Sequence, residues 1–335
     1  MLNKYFGILI AVLCLSYGRA LAQGCSDPGI CTSGSLNAAN TQDSTSKIDF
    51  TEASFEELLN ANVASEKYRI GADIVYGIGD KGTSIYNLVL RFSMRIKERM
   101  LINVKMPFAY ISGNIGTTTG TGDLTLTMQN TFKSGKNINM AYTLGVIIPT
   151  NNANLKYNGE VMPMAYQSSL GLFSALAGLS FRYKQWSAVI GYQYSFGSNS
   201  NQFLSETIKL NSNAANFTDQ QKRASYESSK NLNRGSDLIF RLERGFQIKK
   251  LSIAIGILPI LRISNSSIVD STGADSLVFN SDGLTLNITA GISYQLSNSV
   301  FIKINYGSPV LQRKVRPDGL SRKTVLIVGF GVKLW

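Results

Sequence analysis

Basic side chains set at even spacing carry the chemistry in this chain. Arg91 and Arg95 share one parity with Lys97 in a single alternating stretch, and Arg241 shares one with Glu243 in another. Lys105, Arg182, Arg262 and Lys303 each sit on the polar side of a similar run, as do Lys184, Lys249 and Lys333. Side chains two apart on a strand point the same way. Such spacing lines a surface with cations, which suits anion passage or binding and not bond-making. Asp73 and Glu243 are the acids read on the same faces. There is no His, which excludes a Ser-His-Asp triad and a His-ligated metal. The Gly-rich stretch 113–122 lies between strands with no helix after it, so it lacks the context of a phosphate-cradling loop. The expectation is therefore a non-enzyme without cofactor. The cations are also spread over many segments and not gathered in one patch, which speaks against nucleic acid as a partner.

The elements that must position these cations are long amphipathic strands. At 86–97, Tyr86, Leu88, Leu90, Phe92, Met94 and Ile96 form one face, and Asn87, Val89, Arg91, Ser93, Arg95 and Lys97 form the other. The split recurs at 123–133 and 284–296. One face suits lipid and the other water, over lengths that let a tilted strand cross a bilayer. Twelve segments of this kind are expected, at 68–77, 85–97, 100–112, 122–133, 137–148, 172–184, 186–196, 236–249, 251–263, 284–296, 299–311 and 323–334. Their links alternate between tight turns, such as Lys184-Gln185 and Lys249-Lys250, and longer stretches, such as 149–171, 197–235 and 264–283. Hydrophobic residues make up 44% of the chain and charged ones 16%, which a soluble sandwich would also satisfy. The alternation of short and long links would not arise from Greek-key connections. The expected fold is all-β: a transmembrane up-and-down antiparallel barrel of about 12 strands over 67–335, with both termini on the short-turn, periplasmic side.

Ahead of the barrel, Lys4, the apolar stretch Phe6 to Tyr17 and Ala20-Leu21-Ala22 read as a cleaved signal peptide over 1–22. Removal of Lys4 and Arg19 takes the formal charge from +12 to +10. Leu21-Ala22-Gln23-Gly24-Cys25 offers lipoprotein processing at Cys25 as a rival. Otherwise Cys25 and Cys31, with five residues between them, are expected to form a disulfide in an oxidising compartment, with a redox or metal role as the alternative. Residues 23–66 read as a periplasmic segment. Within it Glu52, Phe55, Glu56 and Glu57 fall at roughly helical spacing and are a candidate for an acidic partial plug in the basic barrel; a flexible tail is the competing reading.

Aromatic residues gather toward the ends of the apolar rows, with Tyr76, Tyr86, Phe108, Tyr110, Tyr192, Tyr194 and Tyr306 near the long links. Tyr68, Phe132, Tyr183, Trp186 and Phe246 lie near the turns. Two interfacial girdles are the expectation. The closing row Leu326, Val328, Phe330, Val332 and Leu334, followed by Trp335, resembles the terminal strand of bacterial outer-membrane barrels, which the assembly machinery reads. In those barrels the row usually includes the last residue; here it ends one earlier. The stretch Gly24 to Leu36 and the block Gly178 to Trp186 with Gly191-Tyr192-Gln193-Tyr194 resemble uncharacterised Bacteroidetes-type outer-membrane barrels, distantly like phenol-degradation and fatty-acid-type transporters. That likeness implies a channel or transporter in the outer membrane, with lipid and a small, anionic or amphipathic solute as partners. The alternative is a non-conducting structural or surface-recognition barrel acting through its outer loops.

Overall fold

Strict alternation along each strand becomes two physically different faces. In a computed structural model, which describes residues 67–135, 137–213, 215–319 and 324–334, the chain forms β1 (Tyr68–Ile78), β2 (Ser84–Lys97), β3 (Met100–Gly113), β4 (Gly116–Thr121), β5 (Leu124–Ser134) and β6 (Ile138–Ile148). After two short strands, β7 (Lys156–Tyr157) and β8 (Glu160–Val161), come β9 (Phe173–Tyr183), β10 (Trp186–Phe196), β11 (Asp237–Ile248) and β12 (Leu251–Arg262). Another short pair, β13 (Ser266–Val269) and β14 (Asp275–Val278), precedes β15 (Gly283–Gln295), β16 (Val300–Leu311) and β17 (Thr324–Leu334). One helix, α1 (Phe217–Ala224), lies between β10 and β11. The expected signal peptide, Cys25, Cys31 and the plug candidate around Glu52, Phe55, Glu56 and Glu57 lie outside the described residues.

Thirteen strands form one antiparallel sheet, of which β4 only extends β3, leaving twelve around the circumference. Closure is made by β1, which pairs with β2 on one side and β17 on the other. The expected segments agree with the observed strands to within two residues at each end. The Gly/Thr-rich link at 113–121 differs: most of it is β4, hairpinned back on β3 with Gly113 opposite Gly116. A second difference is the link 79–83, which is short although it lies at the loop end.

The outward rows stay exposed: Ile74 is 61% exposed, Leu179 55% and Ile255 59%, at the middle of strands that bury their alternate residues. An apolar belt of this extent has lipid, not water, as its solvent. Tyr76, Tyr86 and Tyr110 stand side by side near the loop end, with ring centroids 5.1 and 6.2 Å apart. Tyr68 stacks on Phe92 near the turn end. The row Val328, Phe330 and Leu334 of β17 also faces outward.

Candidate functional site

The inward rows converge on the lumen, and one wall of it is charged. Asp73 on β1, Arg91 on β2 and Lys303 on β16 meet there. Arg91 Nε lies 2.7 Å from Asp73 Oδ2 and its Nη2 donates to Oδ1 at 2.9 Å; Lys303 Nζ lies 3.5 Å from Oδ1. Register brings them together, because Asp73 and Lys303 both stand opposite Gly329 of β17. A Cβ on Gly329 would lie 2.2 Å from Asp73 Oδ1 and 2.4 Å from Lys303 Cε, so only glycine leaves the room. Two cations thus share one acid, and Arg91 stands opposite a further cation, Lys105 on β3. On β11, Arg241 pairs with Glu243, which lies above Gly256. Arg95 is nearer the turn end, where its Nη1 donates to the Glu98 carbonyl at 2.9 Å; Arg182 is two residues from the turn that follows β9. Lys333 is buried on the inward row of β17.

Three lysines are not part of this wall. Lys97 is exposed beyond a register shift between Arg95 and Lys97, and the bulge turns it off the inward row. Lys184 and Lys249 are exposed first residues of two-residue turns, with φ of 52° and 53°, so their side chains leave the strand faces. The acids also need correction: Asp237, of the same parity as Arg241 and Glu243, faces inward and is fully buried.

The other wall is neutral and hydrogen-bonding. Thr125, Thr127, Gln129 and Thr131 on β5, Thr143 on β6, Ser174 and Ser180 on β9, and Ser187, Gln193 and Ser195 on β10 are all inward and buried. Ser174 and Ser195 share a 2.9 Å hydrogen bond. The Gln193 side-chain amide is completely buried and makes no hydrogen bond to another protein group among the described residues.

Toward the loop end the lumen wall turns apolar, and two loops fold into its mouth. Ile85 of β2 with Ala109 and Ile111 of β3 pack against Met162, Ala165 and Tyr166 from loop 149–172 and Phe203 and Tyr226 from loop 197–236. Burial of this apolar surface holds the loops inward. Their polar backbone is satisfied by fully or nearly buried amides. Asn201 Nδ2 donates to the Ala153 carbonyl at 2.7 Å, and Asn199 Nδ2 to the Leu170 carbonyl at 3.0 Å. Asn199 Oδ1 accepts from the Leu232 amide at 3.0 Å. These loops form a packed cap, and its central phenols are joined: Tyr226 Oη donates to Asn114 Oδ1 at 2.8 Å and lies 3.3 Å from Tyr166 Oη. Burial pushes the Tyr166 phenol above its ordinary range, so it stays neutral.

A second charged cluster locks the cap to the barrel rim. Arg262 ends β12 and Asp237 begins β11; Arg234 arrives from loop 197–236, and Arg313 and Asp318 from loop 312–319. Arg262 Nε donates to Asp237 Oδ1 at 2.7 Å, and its Nη1 lies 2.9 Å from Asp318 Oδ2. Arg234 contacts both acids, and Arg313 reaches Asp318 at 3.4 Å. Burial alone would raise the Asp318 carboxyl, but the Arg262, Arg313 and Arg234 guanidinia outweigh it and hold the group well below the usual carboxylate range. Arg262, expected as a lumen residue, thus belongs to the rim. Of its partners, Asp237 was legible by parity; Arg234, Arg313 and Asp318 arrive on loops where no periodicity marks them.

Among the described residues no group of three or more His, Cys, Asp or Glu could hold a metal ion. The inward rows combine ion-paired charges on one side with hydroxyls and amides on the other.

No protein-family model and no curated protein matches this sequence. Solved structures do match in fold. An outer membrane channel from Pseudomonas putida F1 aligns with a TM-score of 0.57 at 13% identity, over 86% of this chain and 100% of that one. The NanC porin aligns over 79% of this chain and 100% of its own with a TM-score of 0.45 at 11% identity. Outer membrane phospholipase A from Escherichia coli aligns over 81% and 96% at 0.36 and 9% identity. The first of these shows that this chain has the fold of an outer-membrane β-barrel.

Proposed function

We propose that this protein is an outer-membrane channel for small solutes that prefers anions, with both termini and the tight turns on the periplasmic side. The carrying observation is the two-walled lumen. Arg91, Lys105, Lys303 and Lys333 line one side, and a continuous array of hydroxyls and amides from Thr125 to Ser195 lines the other. In a water-filled lumen, surplus basic charge favours anions, and fixed hydrogen-bonding groups opposite replace part of a solute's hydration. Twelve strands lie between the eight of side-chain-filled barrels and the 16–18 of open porins, which fits a narrow, selective path.

Liposome swelling tests it. Vesicles carrying the protein should admit small organic anions faster than neutral solutes of equal size, and the difference should shrink in an Arg91→Gln, Lys105→Gln variant. Equal rates for all solutes would overturn the preference.

The packed cap supports a second reading, a non-conducting barrel that works through its outer surface. Vesicles that never swell although the protein is fully inserted would establish it.

A further inference from the structure

The cap carries a pocket bordered by the link 79–83 and loop 312–319. It has a volume of about 140 Å³, and chain from the link 79–83, both cap loops and loop 312–319 converges on it. Its floor is apolar and buried: Met164, Ala165 and the ring of Tyr226 are each no more than 5% exposed. Around it stand Lys81, Lys314 and Arg316, against one acid, Glu227. Such a floor takes a hydrocarbon body by area burial, and a cationic rim takes a carboxylate by charge-assisted hydrogen bonds.

We propose that this pocket binds an organic anion, a carboxylate joined to a compact apolar body. As a capture step it rests on the channel reading above; as a binding site it does not. The pocket is also wired to the cap. Lys81 donates to the Ser225 carbonyl, its ammonium lies 5.0 Å from the Tyr226 ring centroid, and its own carbonyl oxygen lies 3.3 Å from Tyr226 Oη. Tyr226 Oη in turn holds Asn114 and approaches Tyr166. A carboxylate that draws the Lys81 ammonium toward itself competes with the Ser225 carbonyl and loosens the residue on which the cap's hydrogen bonds meet. The anion that fits the pocket is therefore the one that eases its own entry.

The test uses the full-length chain in detergent, with benzoate as probe and benzyl alcohol as its uncharged analogue, followed by saturation-transfer NMR. Benzoate should bind saturably, and benzyl alcohol at least about tenfold more weakly, the factor that roughly 1.4 kcal/mol confers. Replacing Lys314→Gln together with Arg316→Gln should weaken benzoate by a similar factor. Met164→Trp, which fills the floor and leaves every charge in place, should abolish binding while the barrel keeps its heat-modifiable gel mobility. Equal binding of the two probes, or unchanged titrations in both variants, would overturn the site. Conduction without benzoate binding removes the site and leaves the channel; benzoate binding by a barrel that never conducts removes the channel and leaves the site.

Discussion

The two charged clusters of this barrel are built from similar side chains and serve different ends. Asp73, Arg91 and Lys303 project from β1, β2 and β16, with Gly329 of β17 between β1 and β16, so sheet closure and register alone bring them together. Asp73 and Lys303 are buried, while the Arg91 side chain keeps 19% exposure. At the rim, Asp237 and Arg262 come from strands, but Arg234, Arg313 and Asp318 must be delivered by loops, and all are buried. Charges placed by register set the electrostatics of a path. Charges delivered by loops act as a fastening, because an unpaired buried charge is expensive and the loops are held wherever the pairing is complete.

Breaking the rim should therefore cost most. Asp318→Asn leaves three guanidinia around Asp237 and is expected to cost about 3–5 kcal/mol. Hydrogen exchange should show the loss in loops 197–236 and 312–319 while β1 to β6 stay protected. Acid should do the same. The folded Asp318 carboxyl is depressed, so its contribution is complete above the ordinary carboxylate range near pH 4 and is lost only as pH falls toward its lower folded value. The cap should stay closed at pH 5 and loosen well below pH 4, as read by the same exchange experiment.

The lumen cluster should respond to crowding more than to neutralisation. Gly329→Val drives a side chain into Asp73 and Lys303 and is expected to cost about 1–3 kcal/mol in urea unfolding from lipid vesicles. Asp73→Asn should cost about 1 kcal/mol through the weakened pairing, and it should sharpen anion preference by removing the acid that Arg91 and Lys303 share. The smallest effect is expected on the neutral wall. Gln193→Ala deletes an amide without a hydrogen bond, so stability should move by less than about 0.5 kcal/mol, or rise.

These differences also mark what the sequence made legible. Strand periodicity exposes every second residue to the same environment, so β2 with Arg91 and β11 with Arg241 and Glu243 could be placed from their alternation alone. Asp237 had the same signal. Lys97, Lys184 and Lys249 had the parity too, but a bulge and two tight turns removed them from the wall. The cap was opaque because its organising residues, Asn199, Asn201 and Tyr226, make contacts dozens of positions away in a loop whose composition reads as merely polar. Asp318 was opaque for the same reason: nothing local distinguishes it from a solvated loop carboxylate.

The central claim, a lumen whose basic wall selects anions, is tested most directly by the reversal potential of the refolded chain in a planar bilayer under a KCl gradient. The account predicts openings with chloride permeating better than potassium, and a preference that falls in the Arg91→Gln, Lys105→Gln variant. Cation-selective openings, or a stably inserted barrel without any openings, would contradict it.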